Sequence, residues 1–129
     1  MKNLSLVATF LFTVLFISCS KNDANNNVTH TYNATIRVTT KELVFNNGSY
    51  SDSLLAGAKV DVYANKDDRD NVLSPDYSKI TGADGLAEFD NLDKDYYYLR
   101  VTNTHTQKVM KDETSTPDKT ISLVEILFQ

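Results

Sequence analysis

Tryptophan is absent from this 129-residue chain; cysteine occurs once, histidine and proline twice each, and glycine four times. A lone cysteine has no partner, which excludes an internal disulfide framework. With two histidines and no serine-elbow motif, no nucleophile-and-base arrangement can be assembled from the sequence. The longest apolar run, Leu4 to Ile17, is fourteen residues interrupted only by Ser5, Thr9 and Thr13. A membrane span takes about 20 apolar residues, so this run is too short to be one. Basic side chains number 13 against 17 acidic. That balance gives no electrostatic reason to seek nucleic acid or anionic lipid. No internal repeat is visible, and no stretch carries a convincing amphipathic helical period.

What is present begins at the N-terminus. Met1-Lys2-Asn3 gives a short positive start, the apolar run follows, and Phe16-Ile17-Ser18-Cys19 closes it with a small residue before the cysteine. Residues 1–18 therefore read as a secretory signal peptide. The closing residues resemble the lipobox of bacterial lipoproteins. That resemblance implies that Cys19 is lipidated, with palmitate among its acyl chains, and becomes the new N-terminus. Removing Lys2 leaves 12 basic side chains against 17 acidic, a net charge of −5. Membrane attachment then rests on the acyl chains, each buried methylene contributing about 0.8 kcal/mol. Residues 19–28 are the lipidated cysteine and a flexible Ser-Lys-Asn-Asp-Ala-Asn-Asn-Asn tether, too polar to enter a core. Polar tethers of this kind resemble those of outer-membrane lipoproteins, on either the periplasmic face or the cell surface.

Residues 29–129 suffice for one domain. Alternation with period two recurs along them. Tyr32, Ala34, Ile36 and Val38 alternate with Asn33, Thr35, Arg37 and Thr39; Ala58, Val60, Val62 and Ala64 alternate with Lys59, Asp61 and Tyr63. Ala87 shares a face with Phe89, and Tyr97 with Leu99 and Val101. A weaker strand is expected over Gln107–Lys111, and Ile121–Phe128 is the last. Asn46-Asn47-Gly48 reads as a turn. Gly82-Ala83-Asp84-Gly85 reads as a hairpin joining a short strand at Lys79–Thr81 to the Leu86–Phe89 strand. About seven short strands at this spacing predict an all-β fold, a Greek-key β-sandwich.

The middle of the chain carries a more specific pattern. Leu55-Ala56-Gly57-Ala58-Lys59-Val60-Asp61-Val62-Tyr63 precedes Thr81-Gly82-Ala83-Asp84-Gly85-Leu86-Ala87-Glu88-Phe89-Asp90-Asn91-Leu92, and Tyr97-Tyr98-Leu99-Arg100-Val101 follows. The order resembles the prealbumin-like (transthyretin-like) sandwich of carboxypeptidase-regulatory-like and Cna-B-type domains. Some Cna-B-type domains cross-link a lysine to an asparagine or aspartate with a glutamate on the tyrosine-led strand. Here that stretch holds Arg100, Val101 and Thr102, while Glu88 lies one strand earlier. Transthyretin-like hydrolases use paired histidines, an arginine and a tyrosine-rich C-terminus. This chain offers only His30 and His105, so no catalytic residue is assigned and an enzyme is not expected.

Three features point to ligands or partners. Asp67, Asp68 and Asp70 crowd one loop, and Asp90, Asp93 and Asp95 another; two acidic loops at one end of a sandwich are calcium candidates. Lys66, Arg69 and Lys94 interleave them, however, and solvated turn aspartates are the plainer reading. No other cofactor is implied. Tyr96, Tyr98 and Arg100 fall on the face opposite Tyr97, where aromatic rings suit a glycan. The last strand is apolar on both rows: Ile121, Leu123 and Leu127 on one, Val124, Ile126 and Phe128 on the other. Either a loop such as Val44-Phe45 or Leu54-Leu55 covers the second row, or that row meets another protein. Asp52-Ser53-Leu54 also resembles a short O-glycosylation acceptor of exported bacterial proteins. The reading that results is a lipid-anchored, non-catalytic interaction or adhesive module, with a carbohydrate-binding lipoprotein as the alternative.

Overall fold

The computed structural model describes residues 31–129; the expected signal segment, Cys19, the expected tether and His30 lie outside the described residues. Eight strands and one short helix run in the order β1 (Ala34–Asn46), β2 (Ser49–Leu54), β3 (Lys59–Tyr63), α1 (Lys66–Asp70), β4 (Tyr77–Ile80), β5 (Leu86–Leu92), β6 (Tyr96–Thr102), β7 (Val109–Ser115) and β8 (Ile121–Phe128). They form an all-β sandwich of two four-stranded sheets. In the first, β1 is central: β8 runs parallel along one side, and β5 then β2 occupy the other. The second has the order β4-β3-β6-β7, antiparallel throughout.

The alternation explains which face is buried. Ala34, Ile36 and Val38 of β1 meet Val60 and Val62 of β3, Tyr97, Leu99 and Val101 of β6, and Val124, Ile126 and Phe128 of β8 in one core. Phe89 and Leu92 join it from β5. Each such side chain contributes about 1.5–3 kcal/mol on leaving water. Where β5 hands over to β2 along β1, a buried polar node fixes the crossing. The Thr40 hydroxyl donates to the Leu55 carbonyl (2.6 Å), the Thr81 hydroxyl to the same oxygen (3.0 Å), and the Ala58 N–H to the Thr81 hydroxyl (3.0 Å).

Several expected boundaries move. The first strand starts at Ala34 and continues well past Thr39 to Asn46, because β2 extends its ladder beyond the end of β5. The stretch expected at Lys79–Thr81 is Tyr77–Ile80, and that expected at Gln107–Lys111 is Val109–Ser115. Asp84-Gly85 makes a tight turn, with Gly85 at φ 68°, but not a hairpin. β4 pairs with β3 and β5 with β1, so this turn carries the chain from one sheet to the other. Asn47-Gly48, at φ 48° and 84°, does close a two-residue hairpin, of the kind in which both positions favour left-handed backbone.

Candidate interaction surface

Beyond Glu42, the last residue paired with β8, β1 leaves the sandwich with β2 as a two-stranded arm. Its register sets Phe45 opposite Tyr50, Leu43 opposite Asp52 and Lys41 opposite Leu54. The two rings lie 4.9 Å apart between centroids, a cross-strand aromatic pair. Phe45 is 60% exposed and Tyr50 69%, with Leu43 and Leu54 also on the surface. β2 is exposed along its whole length, Ser53 included. Val44, Phe45 and Leu54 are therefore strand residues of the arm, while Leu55 turns into the core. None of them covers β8. Its Val124, Ile126 and Phe128 row is the core row; in the other row Ile121 and Leu123 stand exposed. Between arm and β8, Lys41 pairs with Glu125 (2.8 Å), and Arg37 pairs with Glu88 (2.6 Å) across to β5.

At the base of the arm a small pocket of about 130 Å³ lies among Glu42, Leu43, Asn103, Thr106, Lys108, Phe128 and Gln129. The Asn103 side chain is committed there, accepting from the His105 and Thr106 N–H groups. His105 is an exposed residue of the β6–β7 turn and does not line the pocket.

The opposite outer face, on the β4-β3-β6-β7 sheet, is covered by α1 over β3 and β6, while Ile80 of β4 and Val109 of β7 stay exposed. Tyr96 and Tyr98 do turn outward, as alternation predicts, while Tyr97 is buried. Their rings sit 5.3 Å apart at 60°, so they form no flat platform. Arg69 of α1 lies over the Tyr98 ring at 5.5 Å and is itself buried, its guanidinium donating to the Asp112 carbonyl (3.0 Å). Arg100 donates to the Thr102 hydroxyl (3.1 Å) and stands opposite Asp61 in the register. Tyr96, Tyr98 and Arg100 share a face, but α1 occupies the ring a sugar would use. Sequence reading misses α1 because a five-residue helix leaves no periodic signature; its one local signal is Asn65, whose side chain accepts from the Asp67 N–H as an N-cap.

The six aspartates are held by other side chains or spread apart. Asp70 bonds Lys66 (2.5 Å), Lys111 (2.9 Å) and Arg69 (3.1 Å). Those bonds, Lys66's first, hold its carboxyl far below the usual range. Asp90 accepts from the Thr35 hydroxyl (2.9 Å) and Asp93 from the Tyr97 hydroxyl (3.1 Å). Asp95 accepts from Tyr32, and that hydrogen bond is the main cause pushing the Tyr32 phenol up to about 12. Asp67 and Asp68 lie in the first turn of α1, not in a loop. Among the described residues no three His, Cys, Asp or Glu side chains gather as a metal donor set. Glu88 stands on the outer face with its carboxylate against Arg37, while its backbone carbonyl accepts from the Lys79 ammonium.

No protein-family model matches the chain, and no curated protein is similar to it.

Proposed function

We propose that the chain is an exported, lipid-anchored sandwich of the prealbumin-like kind, held to the outer membrane through Cys19. It acts as a non-catalytic protein-interaction module and meets its partner with the β1–β2 arm. The observation that carries this reading is the arm itself: Phe45 and Tyr50 form an aromatic pair that stands mostly in water. Isolated two-stranded ribbons are marginal in water, and contiguous exposed apolar patches mark contact surfaces. Direction supports it too. In sequence β1 follows the expected tether, and its 13 residues carry the chain about 40 Å, at roughly 3.3 Å per residue, to the tip of the arm. The aromatic pair thus stands at the end of β1 farther along the chain from Cys19.

The test has two parts. Metabolic labelling with palmitate is expected to mark the wild-type chain and not Cys19→Ser. A photo-reactive amino acid at Tyr50 is expected to cross-link a discrete protein in intact cells, whereas the same group at Tyr96 captures none. Cross-linking to glycan alone, or equal yields from both positions, rejects the arm as the contact.

A further inference from the structure

The pocket at the base of the arm keeps two polar groups that the fold does not use. Asn103 is 2% exposed, and its side-chain oxygen accepts from the His105 N–H (2.9 Å) and the Thr106 N–H (3.2 Å). Those two bonds fix the orientation of the carboxamide, because only its oxygen accepts. Its amide nitrogen makes no hydrogen bond among the described residues. Yet among those residues no side-chain nitrogen or oxygen is both enclosed and without a partner. The Asn103 nitrogen therefore reaches open space, and the open space that this residue lines is the pocket.

Glu42 is the second such group. It lines the same pocket, half-buried at the root of the arm, and its carboxylate has neither hydrogen bond nor ion pair among the described residues. Lys108 is not its partner, since that ammonium donates to the Gln129 carbonyl. Leu43 and Phe128 supply apolar lining. A donor as buried as the Asn103 amide is destabilising when nothing accepts from it. A ligand that reproduces both missing bonds displaces whatever water meets these groups.

We propose that this pocket takes a neutral carboxamide, the end of an asparagine or glutamine side chain carried by the protein that the arm meets. Size comes first. A cavity of about 150 Å³ holds benzene, and this one is about 130 Å³. It admits the end of a side chain and excludes a sugar ring with its hydroxyls. Hydrogen bonding comes second: the ligand has to accept from Asn103 and donate to Glu42, and one carboxamide does both, through its oxygen and its nitrogen. Charge comes third. A carboxylate is repelled by Glu42, while an ammonium is repelled by Lys108 and offers Asn103 no acceptor. Position selects the partner, because Leu43 both lines the pocket and stands on the exposed arm beside the Phe45–Tyr50 pair. The proposal rests on the reading of the arm as a protein contact, and it names what that protein inserts.

Acetamide, acetate and methylammonium are small probes that differ in charge. Each is titrated into the isotope-labelled full chain in mild detergent and followed by NMR. Acetamide is expected to bind weakly, in the millimolar range or above, and to shift the Asn103 side-chain amide and Thr106 backbone resonances saturably. The two ions are expected to leave both in place. Asn103→Asp keeps an oxygen for the His105 and Thr106 N–H groups and puts an acceptor where the donor was. It is expected to abolish the acetamide response at unchanged circular dichroism, and Glu42→Met to weaken that response several-fold. In intact cells, a photo-reactive group at Tyr50 is expected to capture its partner less well when the chain carries Asn103→Asp. Capture at Tyr50 with no acetamide response overturns the pocket and leaves the arm standing. An acetamide response with no capture at Tyr50 overturns the arm's partner as the source of the carboxamide. Equal responses to the three probes, or an acetamide response that survives both substitutions, overturns the site itself.

Discussion

The two outer faces of this sandwich are built from the same period-two alternation and end in opposite states. On the β4-β3-β6-β7 sheet, α1 lies over the strands: Arg69 covers Tyr98, Tyr63 is 1% exposed although it alternates outward, and Asp70 gathers three cations. Asp61 is likewise buried, bonding Ser78 (2.6 Å) and pairing with Lys59 (2.9 Å). On the β8-β1-β5/β2 sheet no element among the described residues lies outside, and Leu123, Ile121, Phe45 and Tyr50 remain in water. One outer face folds its own helix over part of itself; the other leaves apolar side chains in water.

Substitutions that open the closed parts should therefore cost stability, and those on the bare face should not. The largest loss is expected for Leu99→Ala in the core, about 2–5 kcal/mol by chemical denaturation, since Leu99 is fully buried between the sheets. Gly85→Ala follows. Its backbone is left-handed at φ 68° and a Cβ would stand 2.7 Å from the Thr40 carbonyl, so at least about 1–2 kcal/mol is lost to strain. Thr81→Val removes the acceptor of the buried Ala58 N–H and should cost roughly 1–3 kcal/mol. Asp70→Asn gives a pH signature. The folded carboxyl titrates below its unfolded value, so its contribution is present above about pH 3.9 and fades as pH falls below that. Acid unfolding of Asp70→Asn is expected to show a shallower slope there than wild type. The smallest effect is expected for Phe45→Ser with Tyr50→Ser, which should shift stability by under about 0.5 kcal/mol per site while abolishing partner capture.

Alternation alone marks β1, β3, β5, β6 and the core row, because inward residues such as Ile36, Val38, Val60, Val62 and Leu99 are all apolar. It also turns Tyr97 in and Tyr96 out. What it misses has physical causes. β2, Ser49–Leu54, is polar and wholly exposed, so nothing in its side chains announces a strand; only its ladder with β1 does. The Asp84-Gly85 turn is legible as a turn, but whether its flanking strands pair with each other depends on β1 and β3, which lie far away in sequence. The Tyr96–Tyr98–Arg100 face is legible as outward, while its cover depends on Arg69 reaching across from α1. The doubly apolar β8 is the sequence feature that speaks most directly to the bare face.

Hydroxyl-radical footprinting compares the two faces in a single measurement, on the full chain in its native membrane and again after purification. Phe45 and Tyr50 are expected to be protected in the membrane and reactive once purified, with Tyr98 equally shielded in both. Equal labelling of Phe45 and Tyr50 in the two states, or protection appearing instead at Tyr96 and Tyr98, would contradict a contact through the bare sheet.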